Sequence, residues 1–156
     1  MNDRWFIDTN ILLYAYDREA GRKHQIAKEL ITQCWERAIG VISVQVLCEF
    51  FVQGTRTKNK IIEPIEAKSI VYNLATNWCV ICPDATLIIE AIRGQSEHQL
   101  SFWDALIWAT AKKAGTQYLY TEDFQHRQIV EGVQFINPFV VEPKPSALSS
   151  GSDYNI

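Results

Sequence analysis

Trp5-Phe6-Ile7-Asp8-Thr9-Asn10-Ile11-Leu12-Leu13-Tyr14-Ala15-Tyr16 is the stretch whose reading decides the fold. A short apolar run meets three polar residues, and a longer apolar segment follows. The pattern reads as strand, polar turn and helix, with Thr9 or Asn10 supplying the cap. The same unit recurs along the chain. Ile39-Gly40-Val41-Ile42-Ser43 is a strand ending in a cap, and the helix it opens carries Val46, Leu47, Phe50 and Phe51 as its core stripe, with Glu49 beside them. Trp78 to Cys82 reads as the third strand, and Pro83-Asp84 caps a helix ending near Glu97. Ser101-Phe102-Trp103-Asp104 has capping-box form and starts a helix that Gly115 stops. Gln117-Tyr118-Leu119-Tyr120 and Val133-Gln134-Phe135-Ile136 are strands four and five, and further helices are predicted over roughly 21–38 and from Pro64 to about 75. Strands that alternate with helices and read as near-continuous apolar runs imply a parallel sheet covered on both faces, so the fold class is α/β.

Length and composition bound the function. The chain has 156 residues, 15 Lys+Arg against 18 Asp+Glu for a formal charge of -3, and 47% hydrophobic residues. One globular domain over 1–141 is expected, with a flexible tail over 142–156 that is too poor in apolar residues to pack. No apolar stretch approaches the roughly 18 residues of a membrane span, and no export segment opens the chain, so a cytoplasmic protein with no membrane partner is expected. The glycines are scattered, which excludes a phosphate-cradling loop and argues against a nucleotide cofactor. The negative balance argues against broad coating of DNA. Cys79 and Cys82 form a CxxC pair, but no second pair or His stands at ligand spacing, so the four cysteines read as reduced residues of an apolar strand and of helices.

In an open parallel sheet, ligands bind beyond the carboxyl ends of the strands. Asp8 directly follows strand one, Asp123 lies just past strand four, Asp104 sits in the first turn of the helix leading into strand four, and Glu49 lies on the helix after strand two. Each alone is explicable as a cap, a turn or a surface charge. Together, with Asp8 and Asp104 embedded between apolar segments, they need a positive partner, because desolvating an unpaired carboxylate costs several kcal/mol. No Lys or Arg lies within four residues of Glu49, and the Asp104 helix has no base before Lys112. A divalent cation is the economical partner, and oxygen-only ligation selects magnesium first and manganese second. Such an ion suits phosphate chemistry.

These segments resemble the PIN-domain family, and within it the VapC-type toxins of bacterial toxin–antitoxin pairs. The resemblance is carried by Phe6-Ile7-Asp8-Thr9-Asn10-Ile11-Leu12-Leu13-Tyr14-Ala15, Ser43-Val44-Gln45-Val46-Leu47-Cys48-Glu49-Phe50, Ser101-Phe102-Trp103-Asp104-Ala105-Leu106-Ile107 and Leu119-Tyr120-Thr121-Glu122-Asp123-Phe124, over roughly residues 4–139. It implies a five-stranded parallel sheet in the order 3-2-1-4-5 with helices on both faces. It also implies a magnesium- or manganese-dependent ribonuclease leaving 5′-phosphate and 3′-hydroxyl ends, a homodimer, and an antitoxin partner whose tail blocks the site. By the same resemblance Asp8, Glu49, Asp104 and Asp123 are metal ligands, Asn10 and Thr121 support them, and Glu122 stands where it could assist Asp123. Arg56, Lys58 and Lys60 in the loop after the Glu49 helix, with Arg22 and Lys23, are candidates to steer an RNA backbone. Three competing readings are a housekeeping PIN nuclease acting on RNA or DNA, a non-catalytic PIN-like binding module, and a haloacid-dehalogenase-type phosphatase. The last wants Asp two residues after Asp8, where Asn10 stands.

Overall fold

The computed structural model describes residues 3–141, so the proposed tail over 142–156 lies outside the described residues. The strands are β1 (Trp5–Ile7), β2 (Gly40–Ser43), β3 (Cys79–Ile81), β4 (Tyr118–Tyr120), β5 (Ile129–Val130) and β6 (Val133–Ile136). The helices are α1 (Thr9–Tyr16), α2 (Arg22–Arg37), α3 (Val44–Gly54), α4 (Pro64–Asn77), α5 (Ala85–His98) and α6 (Phe102–Lys113). One sheet runs in the order β3-β2-β1-β4-β6-β5. The five expected strands pair in parallel and in the expected order, with β1 at the centre between β2 and β4.

The sheet has six strands rather than five. Ile129–Val130 pairs antiparallel with the start of β6 through Ile129↔Gln134 and Val130↔Val133. Glu131 and Gly132 close the hairpin, both with positive φ, 47° and 87°. A two-residue turn of that kind matches the strand twist and favours Gly or Asn. Glutamate at its first position conceals the turn in the sequence.

Helices cover both faces of the sheet. The crossovers from β1 to β2 and from β2 to β3 step one way along it, and α1 packs on α2 and α3, and α3 on α4. The crossover from β3 to β4 steps back over β1, so right-handed connection puts α5 and α6 on the other face. There α5 packs on α6, which lies against β2, β4 and β6. Residues Ala105 to Ala111 of α6 are all buried, as befits a helix apolar on every side. Trp108 is fully buried, and Gly94 makes room for it: a Cβ at 94 would stand 2.4 Å from the indole Cζ3. The core continues through Phe6, Phe50, Leu119 and Phe135.

Two local expectations change. Neither Thr9 nor Asn10 caps α1: Asp8 does, its carboxylate accepting from the Thr9 N–H, because the helix begins one residue earlier than the polar run suggests. The cysteines are all free, but only Cys34 is buried, while Cys48 and Cys82 are exposed, one on an outer turn of α3 and the other beyond the end of β3. No helix among the described residues is long and apolar enough to cross a membrane.

Candidate active site

The carboxyl ends of β1, β2 and β4 lie side by side, and the acids gather there. Asp8 is 4% exposed. Its Oδ1 accepts from the Thr9 N–H at 2.7 Å and its Oδ2 from the Thr121 hydroxyl at 2.8 Å. The same Thr121 hydroxyl accepts the Asp123 N–H at 3.1 Å, so one fully buried side chain ties the end of β1 to the loop after β4. Asn10 adds a second tie: its Nδ2 donates to Asp123 Oδ2 at 2.9 Å, and its Oδ1 accepts the Glu122 N–H at 3.4 Å. Glu49 comes in from α3 with its Oε2 accepting from the Thr9 hydroxyl and its Oε1 from Gln45 Nε2, both at 2.8 Å. Asp104 occupies the first turn of α6, where Ser101 Oγ caps its N–H at 3.1 Å.

These acids repel one another. Burial pushes the Asp8 carboxyl up to about 7; hydrogen bonds from Thr121 and Thr9 oppose the rise, and the charges of Asp123 and Glu49 add to it. Burial likewise raises Asp104, with Ser101 opposing and Asp123 and Glu49 adding. None of the ion pairs formed among the described residues involves Asp8, Glu49, Asp104 or Asp123. A buried carboxylate with acidic neighbours and no ion pair among the described residues could be balanced by a cation from solution. All the donors are carboxylate oxygens, which suits magnesium or manganese.

The arrangement is open. Among the described residues the trio whose ligand atoms converge within 4.8 Å is instead Glu97, His98 and Glu131, none of them among the expected acids. That trio already has cations. Glu131 accepts from Arg93 at 2.8 and 2.9 Å, from His98 at 2.6 Å and from Lys112 at 3.0 Å, and Arg93 also binds Glu97. His98, Arg93 and Lys112 hold the Glu131 carboxyl down to about 2. It is an ion-pair network rather than a metal site.

Other expected residues are placed elsewhere. Glu122 does not join Asp123: its Oε1 accepts from the Tyr14 hydroxyl and its Oε2 from Lys23, each at 2.7 Å, so both oxygens face away from the acids. Lys23 is thereby committed to an ion pair and lies over the Tyr14 and Phe139 rings at 4.9 and 5.2 Å. Arg22 donates to the Phe139 carbonyl at 3.0 Å. Arg56 and Lys58 are exposed and Lys60 pairs with Glu63 at 2.6 Å. Their loop borders the end of α1, beside a 360 Å³ cleft lined by Tyr16, Asp17, Lys60 and Glu63. Asp8 caps the opposite end of that helix, roughly 12 Å away at 1.5 Å per residue. Thr9 and Gln45 are site residues that the sequence reading does not single out. The one available signal is the four-residue spacing of Gln45 and Glu49 on a helix; the Thr9 contact spans forty residues.

The sequence profile of the PIN domain matches residues 5–132. The chain belongs to the PIN-domain family. No curated protein is significantly similar in sequence. Solved structures with the same fold include VapC20 of Mycobacterium tuberculosis, a toxin that cleaves the sarcin–ricin loop, at 24% identity and a TM-score of 0.59 over 76% of this chain and 91% of that one. A toxin–antitoxin complex from Klebsiella pneumoniae matches at 20% identity and 0.60, over 87% and 98% of the two chains. DNA-bound VapBC from Salmonella typhimurium matches at 14% and 0.61, over 85% and 96%. At these identities the likeness shows a shared fold.

Proposed function

We propose that this PIN-domain protein is a metal-dependent ribonuclease and the toxin member of a toxin–antitoxin pair, working as a homodimer on RNA. The observation that carries the reading is the buried Asp8 at the carboxyl edge of the sheet, facing Glu49 and Asp123 and in no ion pair among the described residues. Asp8, Glu49, Asp104 and Asp123 would hold magnesium or manganese. When bound, the ion supplies charge neutralisation at the phosphodiester and a water acidic enough to act as hydroxide near neutral pH.

The chain's own part is orientation. Thr121 and Asn10 hold Asp8 and Asp123 in one relative position, and Thr9, on the first turn of α1, joins Glu49 to the same frame. Placing Asp104 at the start of α6 sets its charge against the positive end of that helix's dipole. Hydrolysis at such a site would leave 5′-phosphate and 3′-hydroxyl ends. The antitoxin reading is supported by structural neighbours that are themselves toxins or toxin–antitoxin complexes.

The test incubates purified protein with structured and unstructured RNAs in magnesium, in manganese and in chelator, beside Asp8→Asn and Asp104→Asn. Cleavage is expected with either metal and in neither variant. Cleavage that survives chelation, or that persists in both variants, overturns the mechanism. Absence of cleavage across a broad RNA panel would favour a non-catalytic binding module.

A further inference from the structure

Gln45 lies one turn before Glu49 on α3, so the two share a face of the helix. Its Nε2 donates to Glu49 Oε1 at 2.8 Å, while its own Oε1 is buried with no hydrogen-bond partner. The orientation of the amide is dictated by Glu49, since turning it over would set two acceptor oxygens against each other. An unpaired buried acceptor is unfavourable for folding. An apolar side chain of the same length would leave no such acceptor, so what distinguishes the amide at this position is its bond to Glu49.

We propose that Gln45 is a positioning residue for the cation site: together with Thr9 it clamps both oxygens of Glu49 and fixes the direction in which that carboxylate meets the ion. The assignment rests on the ribonuclease reading above. Glutamate has one more rotatable bond than aspartate, so of the four acids Glu49 has the most freedom to lose before it can act as a ligand. The bond from Gln45 is charge-assisted and fixes Oε1; the bond from Thr9 fixes Oε2 from a different helix. Each carboxylate oxygen has two lone pairs, so both remain able to bind a cation or its water. Groups that orient a metal ligand commonly matter almost as much as the ligand. Keeping an unsatisfied acceptor for the sake of site geometry is the kind of local conflict expected where function overrides packing.

The experiment compares wild type, Gln45→Met, Glu49→Gln and the double variant, reading Mn2+ affinity by calorimetry, thermal melting without metal, and RNA cleavage. Gln45→Met is expected to weaken Mn2+ binding by about 10–100-fold, to slow cleavage, and to leave the melting temperature nearly unchanged, because the lost bond to Glu49 and the removed unpaired acceptor oppose one another. In the Glu49→Gln background the second substitution is expected to have no further effect on affinity. Unchanged Mn2+ affinity in Gln45→Met, a loss of affinity that tracks a lower melting temperature, or a full additional loss in the double variant overturns the role of Gln45 while leaving the ribonuclease reading intact. Wild-type protein that takes up no Mn2+ and cleaves no RNA overturns that reading, and this assignment with it.

Discussion

The Thr121 hydroxyl donates to Asp8 Oδ2 at 2.8 Å across 113 residues of sequence and accepts the Asp123 N–H at 3.1 Å, so one side chain sets the spacing of two candidate ligands. Thr121→Val keeps the shape and removes both bonds, leaving a buried carboxylate and a backbone N–H short of partners. Destabilisation of about 1–3 kcal/mol and a 10–100-fold loss of metal affinity are expected, read by denaturant melts and Mn2+ titration. Thr121→Ser should retain most of both.

Asp8 makes metal-free stability depend on pH. Its carboxyl titrates near 7 in the fold, against 3.8 for an ordinary aspartate. Between those values the folded state holds a proton that the unfolded state has released, so stability falls as pH rises through about 4 to 7 and then levels off. A rise of that size corresponds to a change in stability on the order of 4 kcal/mol. In chelator, Asp8→Asn should flatten that part of the melting-temperature profile and melt higher than wild type at pH 8. Saturating Mn2+ should restore the wild type at pH 8 and leave the variant nearly unmoved.

Adjacent acids in the β4 loop should behave differently. The Glu122 carboxylate is held by Tyr14 and Lys23, whereas the Asp123 carboxylate accepts from Asn10 and faces Asp8 and Asp104. Glu122→Gln is expected to lower stability by up to about 1 kcal/mol, the range of a partly exposed pair. Asp123→Asn is expected to cut RNA cleavage by far more than Glu122→Gln does. Equal losses of cleavage in the two variants would contradict this division.

Gly94→Ala would ordinarily favour a helix interior by nearly 1 kcal/mol. Here the new methyl group meets the Trp108 ring at 2.4 Å, in a core with no slack. A net destabilisation of about 1–3 kcal/mol is expected, measurable as a lower denaturation midpoint with an unchanged m-value.

The alternation that reveals the fold survives in the sequence because the central strands are covered on both faces and stay largely apolar, as in Phe6-Ile7 and Val41-Ile42. Three of the four acids are legible for a related reason: Asp8 and Asp123 follow strands and Asp104 opens a helix, where polar residues interrupt that pattern, while Glu49 stands out as a charge beside the apolar stripe of α3. What cannot be read are relationships between distant residues. Whether Glu122 turns toward Asp123 or away from it depends on Tyr14 and Lys23, about a hundred residues earlier. The basic loop can be counted as charge, but its distance from the acids follows from α1 running away from the sheet's carboxyl edge. Thr9, which reads as a cap, lies inside the helix with its hydroxyl free to reach Glu49.

The two-residue strand β5 has a consequence for how copies of this chain can meet. Without it, β6 would end the sheet with a row of unpaired N–H and C=O groups, a template on which another chain's strand could add. The Ile129–Val130 hairpin occupies part of that row, and Glu131 at its tip is fastened to Arg93, His98 and Lys112 on the neighbouring helices. Strand addition is therefore obstructed on this flank, which directs any assembly there toward side-chain contacts and away from runaway sheet growth.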